Sequence, residues 1–146
     1  MKVTETAQLQ KIAFNLRQDI LAMIYQAQSG HPAGSLGMID LILTLFASGI
    51  LRHDPKKPNW EKRDYFLLSN GHICPALYAV LAQQKYFKRK ELETFRQINS
   101  RLQGHPHFLM NNGIIDKKTI EGIETTSGSL GHGSSQAAGL AYGLQM

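Results

Sequence analysis

The sequence has little cysteine and no long hydrophobic run. Its only cysteine is Cys74, so no disulfide can form within the chain, and such low cysteine usage favours a reducing compartment. The longest apolar stretch, residues 38–51, is interrupted by polar residues and is too short to cross a bilayer. The first residues, MKVTETAQLQK, contain no hydrophobic secretion signal. We therefore expect a cytoplasmic protein with no membrane contact.

The chain does contain enough apolar residues for one core. Hydrophobic residues make up 42% of its 146 positions and charged residues 18%, which excludes an intrinsically disordered chain. Its 13 glycines show no regular period, so a collagen-like structure is also excluded. We expect one domain over residues 1–146.

A net charge of +5 raises the question of nucleic-acid binding. Residues 85–101 hold six basic and two acidic side chains, so most of the excess lies in one segment. The sequence has no zinc-finger spacing, no basic region leading into heptads and no RNA-recognition motif. A solvated helical face explains the basic segment without a nucleic acid, and a basic binding module remains an alternative.

Hydrophobic periodicity predicts helices alternating with short strands. The predicted helices cover residues 9–27, 38–46, 75–86 and 89–97 and the segment from residue 134 onward. Thr4 or Thr6 is the predicted N-cap of the first helix, and Ser134 or Ser135 that of the last. Short apolar runs predict strands at 65–68 and 123–126, and glycine-rich segments predict loops at 29–37 and 128–133. A strand, a polar turn and a helix in succession indicate an α/β fold.

Three histidines, His31, His72 and His105, each follow a glycine in a predicted loop. Glycine lets the backbone turn sharply or approach a ligand, and imidazole can donate to phosphate or exchange a proton near neutral pH. Proline after His31 and His105 stiffens their loops. We take these three as candidate site residues, whereas His53 and His107 lack the preceding glycine.

Common catalytic and metal motifs are absent. No two histidines stand at the helical zinc spacing, and Cys74 has no cysteine partner. No GxSxG elbow surrounds Ser129 or Ser134, which argues against acyl hydrolysis. The GSLGHG segment, 128–133, does not match the usual phosphate-loop patterns. It does place glycines before a helix N-terminus, where backbone N–H groups can bind an anion.

Four segments taken in order resemble the transketolase family. They are SGHPAGSLG (29–37), DYFLLSNGHICPALYAVL (64–81), FRQINSRLQGHP (95–106) and GIETTSGSLGHGSSQAAGLAYG (122–143). The chain looks most like the N-terminal subunit of split, two-gene transketolases. This resemblance implies an α/β, thiamine diphosphate-binding fold with a parallel sheet flanked by helices. Because the last helix stops in mid-pattern, we expect the fold to be incomplete at the C-terminus.

The resemblance also implies an activity. Transketolases transfer a two-carbon ketol unit from a ketose phosphate to an aldose phosphate, in the pentose phosphate pathway of carbohydrate metabolism. Their cofactors are thiamine diphosphate and a divalent metal, usually Mg2+. The implied partners are sugar phosphates and a C-terminal transketolase subunit or domain, in a homodimer or heterotetramer, with no nucleic acid.

The resemblance also implies roles for individual residues, each taken from the position that it occupies in a matching motif. The resemblance assigns catalytic roles beside the substrate to His31 and His105. It assigns cofactor binding to His72, which contacts the diphosphate, and to the segment lining the aminopyrimidine, Gly128, Ser129 and Leu130. Ser129 stands where proline is common and His132 where glutamine is common. These departures put the substrate preference in question more than the cofactor contact.

The family's metal motif is missing from this sequence. No GDG occurs, so no metal ligands are assigned here, and the separate pyrimidine-binding domain with its essential glutamate is also missing. We therefore expect the isolated chain to be inactive and to bind the cofactor poorly. Two alternatives remain: a noncatalytic truncated product, and another thiamine diphosphate enzyme such as deoxyxylulose-phosphate synthase. The SNGH turn, in place of a VGHQ type, favours transketolase over that synthase.

Overall fold

Helices form most of the regular secondary structure of the protein, in a computed structural model that describes Val3 and residues 5–146. Within that part of the chain, the α-helices are α1 (Thr6–Ala27), α2 (Pro32–Ala47), α3 (Cys74–Gln83) and α4 (His132–Gly143). Two 3-10 helices, Gly71–Ile73 and Arg89–Thr94, and a hairpin of β1 (Met110–Asn111) and β2 (Ile114–Ile115) complete the order. None of these helices is both long and apolar enough to cross a membrane.

Helix α1 confirms the helix expected from the repeat at 9–27. Its buried face consists of Ala13, Leu16, Ile20 and Met23, and it packs against α2 and α3. Glu5 occupies the N-cap position, so Thr6 is the first helical residue and not the cap. Thr4, the other predicted cap, lies outside the described residues.

Helix α2 begins earlier than expected, because much of the glycine-rich segment 29–37 is helical. Pro32 stands in the first turn, where its missing N–H costs no hydrogen bond and its fixed φ suits a helix. The Ser35 hydroxyl donates to the His31 carbonyl at 2.8 Å within this turn. His31 is therefore the N-cap residue of a helix and not part of a free loop. The helix buries one face only, since Leu41 is 54% exposed.

Helix α3 is the centre of the core. Every residue from Cys74 to Ala82 is buried, and the helix packs against both α1 and α2. Pro75 lies in its first turn as predicted, although the helix ends at Gln83, three residues before the expected end. The 3-10 turn Gly71–Ile73 leads directly into α3. The position of His72 is therefore fixed by the most deeply buried helix of the described chain.

The two predicted strands, 65–68 and 123–126, are wrong as hydrogen-bonded strands. Among the described residues, the only sheet is the antiparallel pair β1 and β2, joined through Asn112 and Gly113 at φ values of 48° and 78°. Those angles suit the tight turn of a two-residue hairpin. A parallel strand depends on a ladder with a distant neighbour, and no described segment pairs in this way with 65–68.

Two of the three arginines of the basic segment 85–101 pair with carboxylates within the chain. Its predicted helix at 89–97 forms a shorter 3-10 helix, Arg89–Thr94. Arg89 pairs with Asp19 at 2.7 Å, and Arg101 pairs with Glu91 at 2.9 Å. These pairs use the arginines to hold the fold together, which weakens the case for a basic binding module.

Helix α4 begins at His132, before either predicted cap. Gly131 is the N-cap at a φ of 87°, a backbone conformation that glycine adopts without strain. The Ser134 hydroxyl donates to the Gly131 carbonyl at 2.9 Å, so Ser134 lies inside the first turn and does not cap it. Ser135 is also helical and does not cap it either.

One ion pair connects segments that are far apart in sequence. Arg63 Nε and Nη2 each donate to a carboxylate oxygen of Glu124 at 2.8 Å, and the two side chains are only 12% and 11% exposed. The hydrogen bond to Glu124 is the main cause that raises the pKa of Arg63. The Arg63 guanidinium also lies 4.1 Å from the centre of the Tyr65 ring. This pair fixes the segment that leads to Gly128.

Replacing Glu124 with glutamine leaves the Arg63 charge nearly buried and unpaired. We expect Glu124→Gln to lower the free energy of unfolding by about 3 kcal/mol in urea denaturation. The matched control is Asp40→Asn, which breaks the more exposed pair with Arg17 and is expected to cost less than about 1 kcal/mol. Equal losses in the two variants would show that burial of the Arg63 pair is not what matters.

Candidate active site

Two of the predicted site histidines lie side by side. The ring centroids of His31 and His72 are 5.1 Å apart, with the rings inclined edge to face at 65°. Close packing of α2 on the turn before α3 brings them together, because Gly34 has no side chain. A Cβ at Gly34 would lie 2.7 Å from Ile73 Cγ2. Gly34, three residues after His31, therefore lets α2 pack closely against the His72 turn.

His105 joins the same cluster from a third segment. It is half-buried and lies against Gly128, where an added Cβ would be 3.7 Å from His105 Cδ2. Burial is the main cause that lowers the pKa of His105, followed by the positive charge of Arg96 and then by His31, His72 and His107. His31, His72 and the exposed His107 therefore lie near enough to His105 for their charges to affect its pKa.

The segment before Gly128 is packed tightly under this cluster. The Ser127 N–H donates to the Pro106 carbonyl at 3.2 Å, and a Cβ at Gly71 would lie 2.7 Å from both the carbonyl oxygen and Oγ of Ser127. Among the described residues, the buried Ser127 Oγ has no hydrogen-bond partner. A buried hydroxyl without a partner is uncommon and indicates a place where a ligand or water completes the site.

A polar cavity of about 320 Å³ opens beside Ser127. It is lined by Ser69, Thr126, Ser127, Gly128, Ser129, His132, Gly133 and Gln136. No carboxylate lines this cavity, and it includes the first residues of α4, where backbone N–H groups point out of the helix end. These features suit a phosphate or a polar heterocycle.

The predicted residues do not all contribute to that cavity. Gly128 and Ser129 line it, whereas Leu130, which is 68% exposed, lies outside its lining. His31, His72 and His105 also lie outside the lining, and the only histidine of the described chain that lines this cavity is His132. Larger cavities occur elsewhere, such as one of about 470 Å³ next to Asp19 and Arg89, but that cavity contains no histidine. We place the site by its chemistry and not by its volume.

Sequence reasoning missed several residues of this region. Ser69, Ser127 and Gln136 line the cavity, and Arg96 lies next to the His105 loop. Only Ser69 carried a signal, since it opens the polar turn before His72. The others are ordinary residues in sequence and become notable through contacts that the fold creates.

The fold carries a polar cavity at a helix N-terminus, an arrangement that suits an anionic ligand. Residues 9–146 match the family described as transketolase, thiamine diphosphate binding domain. The chain belongs to this family. Its sequence is 39% identical over 132 residues to the transketolase of Buchnera aphidicola and 38% identical over 141 residues to transketolase 2 of Saccharomyces cerevisiae.

Those matches cover most of this chain and a small part of each relative. The Buchnera match spans 90% of this chain and 18% of that protein, and the yeast match spans 95% and 19%. The transketolase structure from Leishmania mexicana aligns with a TM-score of 0.79 at 31% identity, over 97% of this chain and 19% of that one. The Campylobacter jejuni transketolase aligns at 0.78 with 34% identity, over 94% and 20%. The predicted fold class is confirmed, although the predicted strand pairing is not present in the described residues.

The residues around the cavity fit thiamine diphosphate better than they fit a metal ion. The unpartnered Ser127 hydroxyl, the His132 imidazole and the backbone N–H groups of α4 supply donors for a diphosphate and a heterocycle. Within the described residues, no three His, Cys, Asp or Glu side chains come together to hold a metal. Mg2+ prefers carboxylate and phosphate oxygens, and no carboxylate lines this cavity.

The lowered pKa of His105 has a measurable consequence. We expect its imidazole to titrate below the ordinary value of about 6.5 in a two-dimensional NMR pH series of the folded chain, and near that value in urea. Because the unfolded state then binds more protons, the His105 contribution makes stability decline as pH falls from about 6.5 through the folded pKa. A His105→Gln variant should lose this part of the pH dependence. A folded-state pKa at or above the value in urea would contradict the burial of this ring.

Proposed function

We propose that this chain supplies the diphosphate-binding part of a transketolase. The observation that carries the proposal is that His31 and His72, which are far apart in sequence, lie side by side, while His105 from a third segment lies against Gly128. Membership of the transketolase family gives this arrangement its chemical meaning. The proposed reaction is the transfer of a two-carbon ketol unit from a ketose phosphate to an aldose phosphate.

Sugar phosphates are the proposed substrates. A Pichia stipitis transketolase whose structure resembles this chain, with a TM-score of 0.72 at 30% identity, was solved in complex with sedoheptulose 7-phosphate. That ligand belongs to the Pichia protein, and we extend the substrate class to this chain through the shared fold. We also propose a role in the pentose phosphate pathway and a cytoplasmic location.

Bound thiamine diphosphate would supply the carbanion chemistry that amino-acid side chains cannot provide. The chain would bind and orient it: His72 by donating to a diphosphate oxygen, Gly128 and Ser129 by lining the aminopyrimidine, and Leu130 by closing over it from the exposed side. We propose the buried Ser127 hydroxyl as a further donor, because it has no partner among the described residues.

His31 and His105 would manage protons at the substrate. The lowered pKa of His105 keeps its ring neutral at neutral pH, so one nitrogen can donate a hydrogen bond to a substrate oxygen while the other accepts a proton. His31 lies at the exposed end of α2 beside His72, where it can reach a ligand held by His72. These are ordinary general acid and base roles for histidine.

Other parts of the enzyme would come from further residues. We propose Mg2+ as the metal and a C-terminal transketolase subunit or domain as the partner, in a homodimer or heterotetramer. Two facts support this: the sequence contains no GDG motif, and the chain spans only about a fifth of the relatives it matches.

Alanine at His31 or His105 tests the assigned roles. In an enzyme assembled from this chain and the remaining transketolase domains, we expect either variant to lower kcat for ketol transfer by about 100-fold to 10,000-fold, with the fold intact by circular dichroism. His107→Ala is the matched control, because His107 is exposed and has no assigned role. An unchanged kcat in His31→Ala would contradict the catalytic role assigned to His31.

The isolated chain should bind the cofactor weakly. Calorimetric titration of the 146-residue chain with thiamine diphosphate and Mg2+ is expected to give no heat signal at micromolar cofactor. The reason is that the sequence has no GDG motif and that the part of the chain the structure describes holds no cluster of metal ligands. Tight binding at micromolar concentration would show instead that these residues alone complete the cofactor site.

A further inference from the structure

Arg96 adopts a backbone conformation that is unusual for its residue type. Its φ is 60°, in the left-handed region where residues other than glycine are uncommon. The Arg96 N–H donates to the Leu102 carbonyl at 2.8 Å, and Phe95 beside it is buried, so the segment is held in this shape. A strained residue that the surrounding structure fixes in place is a candidate for a functional role.

The Arg96 guanidinium connects the loops of two proposed catalytic histidines. Its Nη1 donates to Ser29 Oγ at 2.9 Å, two positions before His31. The same group lies flat against Gly104, directly before His105, where an added Cβ would be 2.6 Å from Cζ and 2.7 Å from Nη2. Only glycine at 104 leaves room for this contact.

Helix α3 holds the same loop from the other side. The Cys74 thiol donates to the Gly104 carbonyl at 3.1 Å, and the Tyr78 hydroxyl donates to the Gln103 carbonyl at 2.9 Å. Burial raises the pKa of Cys74 to about 12 and raises the pKa of Tyr78 as well, so both groups stay protonated as donors at neutral pH. The loop before His105 is therefore fixed between α3 and Arg96.

No acidic side chain accounts for the position of Arg96. Its Nε is buried and makes no hydrogen bond within the described residues, and no ion pair to Arg96 occurs there. Contrast this with Arg89 and Arg101, which belong to the same basic segment and pair with carboxylates. Arg96 is instead held by one serine hydroxyl and by packing on a glycine.

We propose that Arg96 is a positioning residue that sets the spacing between His31 and His105, through Ser29 on one side and Gly104 on the other. This inference rests on the proposed function for its catalytic meaning. That Arg96 holds the two segments in position follows from the contacts of its guanidinium with Ser29 and Gly104 alone.

The charge of Arg96 gives the proposal a specific readout. The pKa of His105 is lowered mainly by burial, and the positive charge of Arg96 is the next largest cause. Smaller contributions come from His31, His72 and His107. Removing this charge should raise the pKa of His105, because the imidazolium then meets less repulsion. A residue that supported only the general stability of the fold would not produce this shift.

The experiment is an NMR pH titration of the 146-residue chain with labelled histidine. In Arg96→Gln we expect the His105 pKa to rise and the ring resonances of both His31 and His105 to move. Arg89→Gln is the matched control, since it removes the same charge from the same segment at an exposed ion pair, and it should leave both rings unchanged. The proposal is overturned if the two variants give the same His31 and His105 spectra.

Two further variants separate charge from geometry. Arg96→Lys keeps the charge but loses the planar fork, so the His105 pKa should stay low while the ring resonances move. Gly104→Ala keeps the arginine but displaces its guanidinium, the flexible end of the side chain, so we expect the same direction of change as in Arg96→Gln. If Arg96→Gln fails to fold, Gly104→Ala decides the question, and unchanged His31 and His105 signals there would overturn the proposal.

Activity of the assembled enzyme distinguishes this proposal from the proposed function. Misplacement of a catalytic group by about 1 Å can cost about 100-fold, so Arg96→Gln should lower kcat by up to that factor with little change in KM. If the assembled wild-type enzyme shows no ketol transfer at all, the proposed function fails. The NMR result on Arg96 then still decides the positioning claim by itself.

Discussion

Close approach of backbone segments at glycines is the constraint on which the site depends. Gly34 lets α2 pack on the His72 turn, Gly71 packs that turn against Ser127, and Gly104 accommodates Arg96. At each of these positions a Cβ would lie within 2.7 Å of another atom. These segments can approach one another because glycine has no side chain at the points of contact. The buried helix α3 provides the fixed surface against which they pack.

In this arrangement, the candidate catalytic groups and the groups that hold them in position are different residues. The rings of His31, His72 and His105 are at least partly exposed, whereas the groups that hold the loop before His105, Cys74 and Tyr78, are completely buried. The Arg63 and Glu124 pair plays the corresponding part for the segment that reaches Gly128. Rigid support of partly exposed groups is what catalysis by positioning requires.

Much of the fold could be predicted from local pattern. The repeat in α1 and Pro75 at the start of α3 act within a few residues, so their signals survive in the sequence. The early start of α2 was missed because Gly34 and Gly37 look like loop residues, and packing on Ile73 outweighs their low helix propensity. The strand at 65–68 was wrong because strand pairing depends on a partner distant in sequence.

The histidines of the candidate site could be predicted from the sequence, but the residues that hold them in position could not. Arg96 acts through a positive φ and a contact with Gly104, neither of which has a sequence signature. We propose that the histidines and the segment at Ser127 and Gly128 form one cofactor site. Millimolar thiamine diphosphate added to the labelled chain, followed by NMR, tests it most directly. We predict shifts confined to His72, Ser127, Gly128 and their neighbours; shifts centred on the cavity at Asp19 and Arg89 would contradict the account.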